Sequence, residues 1–496
     1  MTAILTSDLT EPLVSLSRLD GDWPEPDAAR VLSRSENAHL LHYVTSDPFG
    51  SHVFPGDQPS TPEAFLADLD RELATGLPYF LWTTIPICAY HCLYCQFPIV
   101  VQSRNPVAAE EAARRWVDAN LREAELWLHA VPHLASAPVG EFCFFGGTPT
   151  LLPASELDRM LSFYRRNFHF TPETTLRIEG SPDSLTREKL ELLHAHGCGK
   201  ITFGIQTFDD RLLKLSNRLH TGEQAVAVRR NAAEIGFARV DGDLIYGLLD
   251  QSVTGFERDL RRAIELDFTG IVVTKLHLRA FEETGTAIAG VDPPWQDPRY
   301  RARLAEKGHH WPSLGEQYQM RELAVALLER SGRTEYPTMY FQSPEVGCGT
   351  WKALVLDQDK QRAEVGIGLG GSSGTRRGAA NVTVTPRDYF QSIDAGRLPI
   401  VNATSLDREG EIAGSIRRAL STCQPLREDV HGARFPESSL LRGRWRRVFD
   451  DLESRGLAVV DGAAGTVHLT RTGRTLVEAI MHTEIAGPAQ NTPVPK

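Results

Sequence analysis

The sequence predicts an α/β protein whose parallel strands form a sheet that is curled or closed into a barrel. Short apolar runs, each suited to one buried strand, alternate with longer amphipathic stretches that have the period of a helix. The clearest helix covers about 105–130 and opens at Asn105-Pro106, where Asn can cap the helix and Pro suits its first turn. Repeated strand–helix units indicate a parallel sheet. The six predicted strands lie near 79–85, 140–145, 175–179, 200–205, 239–246 and 270–276.

Further elements are expected on both sides of these strands. A helix should begin after Thr61, where a hydroxyl cap precedes Pro62, and a helix at 314–332 followed by a strand near 334–341 should extend the barrel. A loop rich in Pro and charge, 281–312, is expected near the barrel mouth. We divide the chain into an N-terminal extension (1–58), a barrel domain (59–400), a C-terminal domain (405–483) and a disordered tail (484–496).

The composition is that of an ordinary globular protein with more than one domain. The chain has 496 residues, of which 41% are hydrophobic and 24% charged, and this length exceeds what a single core usually supports. The net charge of −11 gives no support to a nucleic-acid partner. No apolar run approaches the roughly 20 residues that span a bilayer, and the N-terminus lacks a signal-peptide pattern. We therefore expect a cytoplasmic protein with no membrane partner.

Three closely spaced cysteines, Cys88, Cys92 and Cys95, are the most informative residues of the chain. Their CxxxCxxC spacing lets one short loop bind three irons of an iron–sulfur cube, which leaves the fourth iron open. A structural zinc site would need a second pair of ligands, and disulfides do not suit an odd number of cysteines without a secretory signal. The other cysteines are scattered singly, at Cys143, Cys198, Cys348 and Cys423.

Five ordered motifs show what the triplet resembles. They read TTIPICAYHCLYCQF (83–97), FFGGTPTLL (144–152), IEGSPDSLT (178–186), ITFGIQTFDDRLLKLSNRLHT (201–221) and DGDLIYGL (241–248). In this order and spacing they resemble the radical S-adenosylmethionine (SAM) superfamily, and most closely its oxygen-independent coproporphyrinogen III oxidase-like family. The resemblance is strong over about 78–280 and weaker to about 480. It implies a partial (β/α)6 barrel followed by a winged-helix-like α+β domain.

The resemblance also implies the cofactors and the residues that hold them. A [4Fe–4S] cluster on Cys88, Cys92 and Cys95 would bind SAM at its open iron and cleave it reductively to a 5′-deoxyadenosyl radical, which abstracts hydrogen from a small-molecule substrate. The electron would come from an external donor of the flavodoxin or ferredoxin type. Residues expected to contact SAM follow the ends of successive strands: Trp82, Phe97, Gly146, Gly147, Thr148, Glu179, Gln206, Arg218 and Asp243.

Departures from the family's patterns point to one branch. The oxidases commonly have a further cysteine where this chain has Phe97, and the strand ahead of the triplet reads WTTIP at 82–86 in place of Tyr-x-His-Ile-Pro. The haem-carrier branch has a histidine where Ser372 stands. By elimination we expect the methyltransferase and cyclopropanase branch, in which two SAM molecules bind and one supplies a methyl or methylene group to a substrate carbon.

That branch needs room for a second SAM molecule. From position alone we assign the second pocket to Lys275, Leu276, His277, Gly370 and Gly371, with Lys275 and His277 as candidate catalytic residues. Two alternatives stay open: oxidative decarboxylation of the coproporphyrinogen type, and haem delivery without catalysis. The arginines of a helix near 442–447 would suit DNA, but nearby acids make a solvated helix face the better interpretation.

Overall fold

The computed structural model describes residues 31–32, 34–41, 58–276, 294–343 and 351–485. Most of the predicted N-terminal extension, the tail after residue 485, His277 and residues 281–293 of the predicted insertion lie outside the described residues. Among the helices of the described ranges, none combines the length and apolarity needed to cross a bilayer.

One large mixed sheet organises the chain. It has 13 strands, and its central part, from β12 through β2, β5, β6, β7 and β8 to β9, is parallel throughout. Antiparallel strands flank this part on both sides. In chain order the strands are β1 (Gln58–Ser60), β2 (Tyr79–Ile85), β3 (Ile87–Cys88), β4 (Val100–Val101), β5 (Pro138–Gly146), β6 (His169–Gly180), β7 (Lys200–Gln206), β8 (Arg239–Tyr246), β9 (Gly270–Lys275), β10 (Thr334–Glu335), β11 (Tyr340–Gln342), β12 (Glu364–Ile367), β13 (Ser372–Gly374), β14 (Gly378–Val382), β15 (Ile400–Ser405), β16 (Leu426–Arg427), β17 (Ala458–Asp461) and β18 (Thr466–Leu469).

Helices connect the strands and cover the outer face of the sheet. The helix Pro106–Ala130 confirms the clearest prediction, and its cap is the expected one, since the Asn105 Oδ1 atom accepts hydrogen bonds from the backbone of Val107 and Ala108. The other α-helices are Ala38–Leu41, Pro62–Leu73, Ala154–Asn167, Arg187–Ala195, Asp210–Leu215, Gly222–Ile235, Val253–Glu265, Pro298–Glu306, Leu314–Arg330, Trp351–Leu356, Pro386–Asp394, Arg408–Leu420, Glu428–Arg434, Gly443–Ser454, Arg471–Thr475 and Val477–Thr483.

The six predicted parallel strands are confirmed as β2 and β5 to β9. Every residue of β2 is buried, as expected of a strand with covered faces. Two details were wrong. The predicted strand near 334–341 is two short strands, β10 and β11, and the parallel part has a seventh strand, β12, beside β2. β12 escaped prediction because it has only four residues and begins with a glutamate.

The sheet is curled so that distant strands face one another. Residues of β2, β9, β12 and β15 line a single cavity although these strands are spread across the sheet order. The hydrogen-bonded ladder runs from β1 to β10, and these two end strands do not pair with each other in the described ranges. A partial barrel, as predicted, is therefore the right description.

The last part of the chain forms a smaller α+β unit with its own apolar core. Three strands pair in the order β16, β18, β17, and helices including Arg408–Leu420 and Gly443–Ser454 pack against them, which confirms the winged-helix-like arrangement. The arginines of the second helix are partly neutralised, since Arg446 pairs with Asp450 at 2.6 Å. Val31, Leu32 and Leu40 of the N-terminal region also belong to this core.

Buried charges join this unit to the barrel. The Arg471 guanidinium lies 2.9 Å from the Glu322 carboxylate on the helix Leu314–Arg330, and both side chains are about 5% exposed or less. Arg474 reaches Glu329 on the same helix at 3.4 Å. Such a pair is costly to break, because the charge left behind stays buried without compensation.

We predict that Arg471→Ala lowers the free energy of unfolding by about 3 kcal/mol, since it leaves Glu322 buried without its main partner. Arg446→Ala is the matched control, because its solvated pair with Asp450 should contribute less than about 0.5 kcal/mol. Urea denaturation followed by circular dichroism measures both. Equal midpoints for the two variants would show that the buried pair does not hold the units together.

Candidate active site

A cavity of about 860 Å³ lies at the carboxyl ends of the parallel strands. This is the edge at which β/α barrels gather their functional groups. Gly371 is not among the residues that line it, and His277 lies outside the described residues. The predicted site residues that line the cavity are Trp82, Cys88, Cys92, Cys95, Phe97, Gly146, Gly147, Thr148, Glu179, Gln206, Arg218, Asp243, Lys275, Leu276 and Gly370.

The three cysteines lie at the end of β3 and on the loop that follows it, and the pairing of β3 with β4 fixes both ends of this loop. Cys88 ends β3, which pairs with β4 beyond the loop, and a turn bonds the Cys95 N–H to the Cys92 carbonyl at 3.1 Å. All three thiols are free and open to the cavity. Burial raises the pKa of Cys88 to about 11, so without metal this group is a protonated thiol.

Three cysteine thiols on one loop are a donor set for three irons of a four-iron cluster. In a four-iron cluster each cysteine binds a different iron, so the sulfur atoms stay apart. The residues present therefore fit the predicted [4Fe–4S] site.

The glycine pair at the end of β5 lines the cavity and also contacts the base of the cysteine loop. A Cβ on Gly147 would lie 2.5 Å from the Ile87 carbonyl oxygen, on the strand that carries Cys88. Gly146 has φ +119°, which L side chains rarely adopt. The pair thus allows β5 to pack directly against the base of the cysteine loop, where the Thr148 N–H also bonds to Ile87 at 2.7 Å.

Glu179 is held by a residue that the sequence did not single out. The Arg177 guanidinium, two residues earlier on β6, donates to Glu179 at 2.6 Å and to Glu141 on β5 at 3.0 Å. Arg177 is only 4% exposed. The sequence did contain a signal for this role, since Arg177 is a charged residue between the apolar Leu176 and Ile178. Its two bonds fix the orientation of Glu179 and leave the second carboxylate oxygen of Glu179 for a ligand's donors.

Gln206 and Asp243 each have a buried acceptor atom in the cavity wall with no hydrogen-bond partner among the described residues. Gln206 has φ 67°, a conformation that costs free energy in a non-glycine residue, and its Oε1 atom is buried without a partner. The Asp243 Oδ1 atom is likewise buried and unpartnered. Burial, then the nearby Glu179 and Asp241, raise the pKa of Asp243 well above its ordinary value. Both atoms are suited to receive donors from a ligand, such as ribose hydroxyls.

Arg218 connects the cysteine loop to the sheet. Its guanidinium donates to the Gly204 carbonyl at 2.8 Å and lies 3.6 Å from the Cys92 sulfur. His220 accepts from the Arg218 Nε atom at 3.2 Å and donates from its other ring nitrogen to Ile205. This arrangement needs a neutral imidazole, and burial together with Arg218 lowers the pKa of His220 to about 3.

Aromatic rings form the apolar wall beside the loop. Trp82 stacks on Phe145 with ring centroids 4.7 Å apart, and Phe97 meets Phe145 edge-on at 6.5 Å. Phe145 was not predicted, although it belongs to the same motif as Gly146. The described part of the 281–312 insertion packs nearby, since Trp295 bonds to the Leu93 backbone in the cysteine loop.

Comparison with known proteins shows which superfamily this part of the chain matches. The radical SAM superfamily model matches residues 82–263, which include the cysteine triplet, Glu179, Gln206, Arg218 and Asp243. This part of the chain matches the radical SAM superfamily, whose members bind a 4Fe–4S cluster and SAM.

Within the superfamily, the chain is similar to the coproporphyrinogen III oxidases and their relatives. It is 25% identical over 395 residues to the haem chaperone HemW of Bacillus subtilis, covering 79% of this chain and 95% of that protein. It is 31% identical over 190 residues to the oxygen-independent coproporphyrinogen III oxidase of Escherichia coli, covering 38% of this chain and 40% of the oxidase. The solved structure of the E. coli enzyme superposes with a TM-score of 0.71, at 23% identity over 86% of this chain and 94% of that chain, which establishes the shared fold.

These relatives bear on the expected branch of the family. They are oxidases and a haem chaperone, and anaerobilin synthase of E. coli O157:H7 is similar too, at 30% identity over 49% of this chain and 53% of the synthase. The placement in the methyltransferase and cyclopropanase branch is not supported by them. Elimination alone does not choose a branch, because single substitutions such as Phe97 exclude a subgroup's signature without showing which reaction replaces it.

We predict that replacing Cys88, Cys92 and Cys95 together with Ala abolishes the iron–sulfur absorbance of anaerobically reconstituted protein. Wild type should bind about four irons and four sulfides per chain. Cys198→Ala is the matched control, because this buried thiol bonds to the Lys200 carbonyl and does not line the cavity. Iron retention by the triple variant would refute the cluster site.

We also predict that Arg218→Ala weakens SAM binding at least about tenfold, the usual effect of losing charge-assisted hydrogen bonds. Arg218→Lys should be intermediate. Arg211→Ala, which removes an exposed arginine paired with Asp250, should bind SAM like wild type. Equilibrium binding to reconstituted protein, with iron content measured for each variant, tests this. An R218A protein with full iron and unchanged affinity would contradict the assignment.

Proposed function

We propose that this protein oxidises a carboxylate-bearing side chain of a small organic molecule, with the chemistry of the coproporphyrinogen III oxidases. The similarity to these oxidases supports the reaction type. The observation that carries the proposal is that the three cluster thiols and the ammonium group of Lys275 open into one cavity. A cation there suits a substrate carboxylate held within reach of the radical.

Different residues of the chain bind the cluster, SAM and the substrate. Cys88, Cys92 and Cys95 hold the cluster, while Gln206, Arg218 and Asp243 hold SAM. When bound, the two cofactors supply a 5′-deoxyadenosyl radical by reductive cleavage of SAM. Trp82, Phe97 and Phe145 exclude water from that side of the cavity, which protects a reactive intermediate. Lys275 orients the substrate carboxylate.

The overall reaction balances with one external electron acceptor. A propionate-type side chain loses one hydrogen atom to the radical, and then carbon dioxide and one electron, so that a vinyl group remains. The electron that starts each cycle comes from an external donor, for which we propose a protein of the flavodoxin or ferredoxin type. We propose a cytoplasmic location and no nucleic-acid partner, in keeping with the acidic net charge.

Methyl or methylene transfer is the second candidate, and one observation favours it. Lys275, Leu276 and Gly370, the residues assigned to a second SAM molecule, line the same cavity as the first set. Haem delivery is the third, because the similarity to the haem chaperone covers 79% of the chain. Ser372 lines the cavity where that branch has a histidine, which removes an expected haem ligand.

One set of assays separates the three. Reconstituted protein is incubated anaerobically with SAM, dithionite, an electron acceptor and coproporphyrinogen III or candidate propionates, and the products are analysed by mass spectrometry. We expect 5′-deoxyadenosine together with a decarboxylated vinyl product. Lys275→Met should reduce product formation at least about tenfold while leaving the iron content unchanged.

Other outcomes would favour the other candidates. Appearance of S-adenosylhomocysteine or methylthioadenosine with a methylated product would replace oxidation by methyl transfer. Stoichiometric haem binding without SAM cleavage would make the protein a carrier. The triple cysteine variant, which cannot generate the radical, controls for background cleavage by dithionite.

A further inference from the structure

The cavity has two halves of different charge. Among its described lining residues the cations are Arg177, Arg218 and Lys275, all on the side formed by the cysteine loop and β6 to β9. Arg177 is bound to two carboxylates, and Arg218 is bound to backbone, hydroxyl and imidazole groups. Arg177 is therefore already satisfied by the protein, and Arg218 is assigned to SAM.

Lys275 differs from the two arginines. It ends β9, and its ammonium group forms no ion pair with any residue in the described ranges, its nearest described aromatic contact being the Tyr318 ring with a centroid 5.8 Å away. Burial lowers the pKa of Lys275. The charge of Glu478, on the helix Val477–Thr483, acts in the opposite direction and raises the pKa of Lys275. An ammonium that is buried and has no ion pair among the described residues gains from an anionic ligand, so this group can bind one carboxylate.

The opposite half of the cavity contains no lysine or arginine among its described residues. It is formed by β12, β14 and β15 and the segment between the last two, with Glu364 as its ionisable group. Burial raises the pKa of Glu364 to about 8, so its carboxyl group is mostly uncharged at neutral pH. This half therefore offers hydrogen bonds and apolar contact but no charge to neutralise an anion.

Two asparagines give the neutral half a specific pattern. Asn381 and Asn402 are directly opposite on β14 and β15, and the Asn381 Nδ2 atom donates to the Asn402 Oδ1 atom at 2.8 Å. The Asn381 Oδ1 atom and the Asn402 Nδ2 atom are left to face a ligand, as an acceptor next to a donor. An amide that presents its N–H and C=O on one edge matches this pair.

We propose that the substrate carries a single carboxylate, bound by Lys275, and an uncharged body whose carboxamide or lactam group binds Asn381 and Asn402. The inference rests on the proposed function, since it identifies the substrate class of the same cavity. A porphyrinogen with several carboxylates fits poorly, because one ammonium would have to compensate all of them beside Glu179 and Asp243. Each further carboxylate would be buried without a partner.

Two isosteric probes test this with the full, reconstituted and SAM-loaded protein. The para-carbamoyl derivative of hydrocinnamate has one carboxylate and one carboxamide, whereas the para-carboxy derivative has two carboxylates. Isothermal titration calorimetry should show the carbamoyl probe binding at least about tenfold more tightly. Coproporphyrin III should neither saturate the site nor displace the carbamoyl probe.

Variants test whether Asn402 and Lys275 cause the preference for the carbamoyl probe. Asn402→Asp replaces an exposed donor by an anion and should weaken the carbamoyl probe about tenfold, and Lys275→Met should weaken both probes about tenfold. Asn167→Asp is the matched control, because Asn167 is exposed and does not line the cavity. Equal affinity for the two probes, unchanged binding by N402D, or competition by coproporphyrin III would each overturn the proposal.

These results are independent of turnover. If the carbamoyl probe binds as expected but no candidate substrate yields 5′-deoxyadenosine, the proposed reaction is wrong while the substrate-class inference holds. If a tetracarboxylate is turned over efficiently, the reaction type holds and the inference fails.

Discussion

Paired charges inside the curled sheet are the constraint on which the site depends. Arg177 spans from Glu141 on β5 to Glu179 on β6, and Lys200 on β7 meets Asp241 on β8 at 2.7 Å with both side chains about 2% exposed. A buried charge that loses its partner costs several kcal/mol. A slip of one residue in any of these strands would turn its charged side chain toward the apolar helices. The pairs therefore fix the register that places Glu179 and Asp243 at the cavity.

The sequence predicts the half of the site that generates the radical, because that half is local. The cysteine triplet, the glycine pair and the strand-end residues are short motifs, and the carboxyl ends of parallel strands must meet at one edge. Even there Arg177 was overlooked, since its role depends on Glu141, 36 residues earlier. The confirmed strands were those with long apolar runs; β12 had too few residues for a pattern.

The neutral half could not be predicted for a physical reason. Asn381 and Asn402 are ordinary surface residues in the sequence, and each also matches a glycosylation acceptor pattern. They become a donor–acceptor pair only because β14 and β15 align them and the sheet curls them toward the cysteine loop. The superfamily match ends at residue 263, before β12 begins. The part of the chain that matches the superfamily model therefore includes the predicted cofactor residues but not the neutral half of the cavity.

The contacts of residues 31–41 change how the beginning of the chain should be regarded. Arg34 donates to the Ser454 carbonyl at 2.7 Å, Asn37 is fully buried, and His39 meets Glu484 at 2.8 Å. Val31, Leu32 and Leu40 complete an apolar core that otherwise comes from the last eighty residues or so. A shortened protein that starts at the barrel would therefore expose apolar surface of the C-terminal unit that Val31, Leu32 and Leu40 now cover. The beginning of the polypeptide thus contributes to the stability of its last folded unit.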